Sequence, residues 1–183
     1  AVGGNLQDHL AMSYYYKATQ PTLNNVLSSW LGKLRVGLQY VTTLGGPLSI
    51  SVNQCGGFVR SHAGAWRPDL QLYCNPITYT LAQSDTGTQI VPDKFAGFIL
   101  CFQPCRPLSR GRIDLASPDV HAAPHIQPNY LSHPDDARVA LLGAKLVQRL
   151  SQTPALRGLI REAIAPALDT LDDAGMLADF RDR

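Results

Sequence analysis

The chain has 183 residues and a formal net charge of +2, which allows one ordinary domain or two small ones. Hydrophobic residues make up 45% and charged residues only 16%, ample for a buried core and incompatible with a disordered tail. So small a net charge gives no field that marks nucleic acid or an acidic membrane as the main partner. No apolar run approaches the ~20 residues that span a bilayer. Cys55, Cys74, Cys101 and Cys105 lie in apolar surroundings with no secretion signal ahead of them, and read as free buried thiols, not a disulfide framework. The opening Ala1-Val2-Gly3-Gly4 has no initiator methionine and reads as the start of a piece of something longer.

Residues 9–18 are rich in tyrosine and predict a strand. Tyr14, Tyr15 and Tyr16 must then point alternately to core and surface. From Pro21-Thr22 to about Leu44 the pattern is helical. Leu27, Trp30, Leu31, Leu34, Leu38 and Val41 recur at spacings of three and four, as a buried helix face requires. Gly45-Gly46-Pro47 ends it. Strands are expected over 48–52, 57–60, 70–75, 95–103 and 111–116, with a long polar loop over 81–94 that includes Asp85, Gly87, Pro92 and Asp93. Pro118, Pro124 and Pro128 keep 117–133 extended.

A helix starts near Pro134, with Asp135 and Asp136 in its first turn and an apolar stripe of Val139, Leu142, Leu146 and Leu150. Thr153-Pro154 opens a shorter helix, and Thr170 with Asp173 forms a capping box before the last one. Strands first and helices last predict an α+β fold: an antiparallel sheet with helices packed on one face. The bare face should then be apolar.

Familiar catalytic signatures are missing. No glycine-rich dinucleotide fingerprint follows a strand, and there is no P-loop or nucleophile elbow. Cys101 and Cys105 lack further ligands at zinc spacing, and Pro124 between His121 and His125 denies that pair helix geometry, so no metal site is expected.

Five segments stand out in order. They are 2–9 (Val-Gly-Gly-Asn-Leu-Gln-Asp-His), 53–61 (Asn-Gln-Cys-Gly-Gly-Phe-Val-Arg-Ser), 67–73, 106–117 (Arg-Pro-Leu-Ser-Arg-Gly-Arg-Ile-Asp-Leu-Ala-Ser) and 124–131 (Pro-His-Ile-Gln-Pro-Asn-Tyr-Leu), with Asp135-Asp136 just beyond. In this order they resemble the glucose–methanol–choline (GMC) family of flavin-dependent alcohol oxidoreductases, in its choline dehydrogenase-like branch. The resemblance covers nearly the whole chain and implies its substrate-binding domain, residues 1–183, excised from a longer flavoenzyme.

It further implies that the unit binding the ADP part of FAD lies upstream of the match and the catalytic His downstream. No catalytic residue is therefore expected in this chain, and His9, His62, His121, His125 and His133 are not candidates for the base. FAD belongs to the parent enzyme and is not expected on this fragment, which alone should be inactive. The expected partners are the rest of the polypeptide with its FAD-binding domain and a small alcohol substrate, with no nucleic acid. The expected compartment is the cytoplasm, with membrane association through the parent as a variant.

The candidate substrate-binding residues are Gln54, Tyr73 and Asn75; strand alternation puts Tyr73 and Asn75 on one face. Gln54 departs from the family. Where choline is the substrate, a glutamate aligned here helps hold the quaternary ammonium, and an amide cannot replace that charge in a dry site. A neutral alcohol is the expected substrate. The alternative, of a different class, is a stand-alone binding or interaction module without redox activity.

Overall fold

The computed structural model describes residues 2–51, 53–84, 87–164 and 166–183; Ala1, the expected strand end at Val52 and the expected loop residue Asp85 lie outside the described residues. In chain order the elements are β1 (Gly4–Leu6), β2 (Met12–Ala18), α1 (Leu23–Leu27), α2 (Trp30–Thr43), β3 (Cys55–Val59), β4 (Leu70–Asn75), β5 (Tyr79–Ser84), β6 (Gly87–Pro92), β7 (Gly97–Pro104), β8 (Gly111–Asp114), β9 (His125–Gln127), α3 (Pro134–Ser151), α4 (Pro154–Arg157), β10 (Ile160–Ala163) and α5 (Asp173–Asp182).

The central sheet has five antiparallel strands in the order β10-β2-β7-β4-β3. Period-two alternation sends Met12, Tyr14 and Tyr16 of β2 and Phe98, Leu100 and Phe102 of β7 to one face. There they meet Ala140, Ala144 and Val147 of α3 and Met176 and Phe180 of α5, which form the core. Phe102 is fully buried, with the Phe180 ring edge-on at 6.1 Å. The fold is thus α+β, with an antiparallel sheet and α3 and α5 on one of its faces. The opposite face, bearing Ser13, Tyr15, Gln71, Tyr73, Asn75, Ile99, Cys101 and Gln103, mixes polar and apolar groups instead of being uniformly apolar.

Several expectations are corrected. The helix over 22–44 is two helices, because Ser29 caps a new one by accepting a hydrogen bond from Gly32 N at 3.0 Å. Of the apolar stripe on α2, Trp30, Leu31, Leu34, Leu38 and Val41 are exposed, and only Val36, on the other side, is buried. Periodicity reports a stripe, not what covers it. Within 48–52 the chain makes a 3-10 turn (Pro47–Ser49), as the proline at its first position favours, and no strand is assigned there among the described residues. Residues 81–94 are mostly a two-stranded ribbon of β5 and β6, exposed on both faces and so lacking a burial signal.

The proline-rich stretch contains β9, paired with β8. The cap of α5 is Asp172, whose Oδ1 accepts from Gly175 N at 2.7 Å, and not Thr170. β10 extends the sheet beside β2, a role its short polar sequence Ile-Arg-Glu-Ala does not advertise.

One buried amide ties the helical insertion to the sheet. Asn24 of α1 donates from Nδ2 to Thr78 O (2.7 Å) and Asp93 O (3.0 Å), and its Oδ1 accepts from Thr78 N (2.9 Å). This fixes the segment between β4 and β5, and with it one rim of the cavity described next.

Candidate functional site

The cavity lies on the sheet face away from α3 and encloses about 350 Å³. Register builds its floor. Cys101 of β7 pairs with Ser13 of β2 on one side and Tyr73 of β4 on the other, and Asn75 stands one alternation further along β4. Ile77 and Tyr79 line it just beyond β4, Ile90 comes from β6, and Asn53 precedes β3. Tyr79 meets the ring of Tyr15 edge-on at 6.4 Å.

The floor is hydrogen-bonded and uncharged. Ser13 Oγ and Cys101 Sγ lie 2.9 Å apart. Burial, reinforced by the nearby Cys101, pushes the Tyr73 hydroxyl up to about 12. Burial also pushes the Cys101 thiol up, and the hydrogen bonds from Ser13 and Tyr73 offset this only in part. Both groups therefore keep their protons at neutral pH. Among the described residues, no carboxylate lines the cavity. Asn75 is only 4% exposed, and its Oδ1 has no hydrogen-bond partner among the described residues. A buried, unpaired amide oxygen costs about 1–3 kcal/mol, which favours a turn of the Asn75 amide that brings this oxygen to a donor in the cavity.

The structure brings Tyr73 and Asn75 to one cavity wall. Gln54 is exposed and does not line the cavity; its backbone N donates to Cys74 O at 3.2 Å, and its neighbour Asn53 takes the lining position. Ser13, Cys101, Tyr79 and Ile90 are lining residues that the sequence reading did not place there. Alternation within β2 and β7 was the available signal for Ser13 and Cys101. Ile90 has none, lying within the expected loop 81–94, and Ile77 and Tyr79 fall between the expected elements.

The sequence motifs instead build a scaffold. β1, β8 and β9 form a three-stranded sheet that brings together segments from the start, middle and later part of the chain. Tyr130 OH donates to Asp8 Oδ2, and His9 Nδ1 lies 3.0 Å from Pro104 O. Asp136 accepts from Leu108 N (2.8 Å), Ser109 N (2.7 Å) and Ser109 Oγ (2.5 Å), while Ser109 Oγ accepts from His133 N (3.1 Å). Burial would raise the Asp136 carboxyl, but those donors outweigh it and hold the group below its ordinary value. His133 Nδ1 accepts from Asp135 N at 3.2 Å, capping α3. His9 and His133 thus have structural partners.

A second hollow of about 430 Å³ lies between the 62–69 turn and the start of α3. Its charged groups are already engaged, with Arg138 on Asp135 at 3.1 Å and Arg106 on Pro68 O. The cavity lined by Asn75, unlike this hollow, has a lining residue with a buried acceptor that lacks a partner among the described residues.

Comparison with known proteins bears on what that cavity serves. Residues 107–179 match the GMC oxidoreductase family. The chain is 34% identical, over its full length, to 32% of an alcohol dehydrogenase [acceptor] of Pseudomonas putida. It is 31% identical over 181 residues to an oxygen-dependent choline dehydrogenase of Ectopseudomonas mendocina, covering 99% of this chain and 31% of that protein. Residues 107–179 of this chain thus belong to the GMC oxidoreductase family.

The fold agrees. Formate oxidase of Aspergillus oryzae superposes on the whole chain with a TM-score of 0.79 at 19% identity, using 36% of its own length. An FAD-dependent oxidoreductase of Chaetomium thermophilum covers 98% of the chain and 36% of itself, with a TM-score of 0.74 at 16% identity. The chain spans about a third of the length of the curated relatives it matches. Its family match over 107–179 takes in β8, β9, α3 and the Asp136 clamp, whereas the cavity is lined from residues 13 to 101, ahead of that match. No helix among the described residues is long and apolar enough to cross a membrane.

Proposed function

We propose that residues 1–183 form the substrate-binding domain of an FAD-dependent GMC oxidoreductase that oxidises an alcohol to an aldehyde. The observation that carries this reading is the cavity's lining, uncharged among the described residues, with Asn75 on its wall and the Asn75 Oδ1, sealed from solvent, lacking a donor among those residues. An alcohol is the matching ligand. Its hydroxyl donates to Asn75 Oδ1, and its alkyl part lies against Ile77 and Ile90. Tyr73 and Cys101, both protonated at neutral pH, add polar edges without charge.

FAD fits beside this chain and not within it. The sequence has no glycine-rich strand-to-helix turn to cradle its phosphates, whereas the sheet face bearing the cavity carries neither α3 nor α5. We place the remaining FAD-binding parts on a longer polypeptide, in keeping with the third of the relatives' length that this chain spans. FAD, when bound, supplies the hydride acceptor. The residues of this chain orient the alcohol's hydroxyl, hold its alkyl part and exclude water. Tyr73, Asn75 and the lining Asn53 are the binding residues we assign; Gln54, exposed and outside the lining, is not among them.

The experiment is steady-state turnover of the enzyme that carries this chain, comparing wild type with Asn75→Ala. Loss of one neutral hydrogen bond to bound substrate raises KM about tenfold with a smaller change in kcat, at unchanged flavin content. An unchanged KM contradicts the assignment.

A further inference from the structure

α2 is amphipathic in an unusual sense, because its apolar side faces outward. Trp30 (71% exposed), Leu34 (60%), Leu38 (63%) and Val41 (77%) line one side, and Leu44 (73%) continues it past the helix end. Val36, on the opposite side, is the buried residue that seats the helix on the protein. At 3.6 residues per turn, Lys33 and Arg35 fall on the two flanks of the apolar side. Both are exposed, and neither has an acidic partner among the described residues.

Charge is segregated along the chain as well. Between Asp8 and Asp69 there is no aspartate or glutamate, while Lys17, Lys33, Arg35, Arg60 and Arg67 all lie there. The net charge of +2 conceals this separation.

We infer that α2 lies in the plane of an anionic lipid surface, with Trp30, Leu34, Leu38 and Val41 immersed at the headgroup boundary. An apolar helix face bordered on both sides by cations has the form of an interfacial helix: the stripe enters the acyl boundary, and the flanking basic side chains reach up to anionic headgroups. Indole favours that depth, where its ring is in apolar surroundings and its N–H remains wet. An ordinary protein partner explains the apolar stripe alone. The paired basic flanks, on a helix that itself carries no acidic residue, point to an anionic surface. The inference does not depend on the role assigned to the cavity.

The test is cosedimentation of the protein with phosphatidylcholine vesicles, neat or with about a third phosphatidylglycerol, reading Trp30 emission in a Trp66→Phe background. Expected are a blue shift and binding to the mixed vesicles, weakened about tenfold or more by Leu34→Gln with Leu38→Gln and severalfold by Lys33→Gln with Arg35→Gln or by added salt. All four side chains are exposed, so the variants keep the wild-type circular dichroism. Binding that is absent, or indifferent to both variant pairs, overturns the inference. So does a dimer in solution that Leu34→Gln with Leu38→Gln dissolves, which assigns the face to a second copy. Trp30 emission already blue and shielded from quencher in full-length protein before lipid is added overturns it too, by assigning the face to another part of the polypeptide.

Discussion

Phe102 of β7 and Gly143 of α3 meet so closely that a Cβ on the glycine would stand 2.4 Å from Cδ2 of the phenylalanine ring. The absence of a side chain at Gly143 is what lets α3 lie flat on the centre of the sheet. Gly37, in α2, has nothing within 4 Å of the same imaginary atom. The two glycines should therefore answer oppositely to alanine. Gly143→Ala is expected to destabilise by about 1–3 kcal/mol, because overpacking outweighs the gain in helix propensity. Gly37→Ala should stabilise by about 0.5–1 kcal/mol. Thermal unfolding of the two variants beside wild type decides it; equal shifts would mean that α3 does not rest on Phe102.

Acid sensitivity should centre on Asp136. Burial raises its carboxyl, but hydrogen bonds from Leu108 and Ser109 prevail and lower it below 3.8. A depressed folded-state value means that the stabilisation is fully present above the unfolded value. It is lost as pH falls through the folded one. Asp136→Asn should cost about 1–3 kcal/mol at neutral pH by leaving one of those donors poorly matched, and should flatten the acid limb of stability against pH. Urea unfolding between about pH 3 and pH 7 measures both. A variant whose acid limb matches wild type would show that another carboxylate controls it.

Thiol chemistry should divide by position. Cys55 is exposed, whereas Cys101 is buried and its thiol is pushed up by that burial. At about pH 8, iodoacetamide should modify Cys55 quickly and Cys101 only after unfolding, as peptide mass spectrometry would report. Prompt labelling of Cys101 in the folded protein would mean that its cavity holds a thiolate, contrary to the uncharged floor described above.

How far the sequence carried this account depends on what covers each element. β4 was legible over 70–75 because its ends are buried and its flanks are turns, and that same alternation put Tyr73 and Asn75 on one face. α3 was legible from Pro134, its acidic first turn and its stripe. β5 and β6 were not, because a ribbon wet on both sides has no reason to alternate. α2 was legible as a helix, but its stripe looks the same whether it faces a core or solvent. The cavity floor joins residues 13, 73 and 101, and only strand register makes them neighbours.

Substrate charge follows from the lining. With no carboxylate among the described residues that line the cavity, a quaternary ammonium finds no anionic partner among them. A neutral alcohol should therefore be preferred to choline. Because Gln54 is exposed and outside the lining, Gln54→Glu should raise the choline-to-neutral-alcohol ratio of kcat/KM by no more than about fivefold, the range of an exposed ion pair. Turnover of both substrates with an artificial electron acceptor tests this. Efficient choline oxidation by wild type would contradict the preference, and a much larger gain in the variant would mean that Gln54 faces the bound substrate.

The measurement that bears most directly on the central claim is the position of a non-oxidisable alcohol analogue in crystals of the enzyme that carries this chain. The account predicts the analogue between Tyr73 and Asn75, its hydroxyl within hydrogen-bond distance of Asn75 Oδ1 and its alkyl part against Ile77 and Ile90. An analogue bound away from this wall, with Asn75 Oδ1 satisfied by a protein donor, would contradict it.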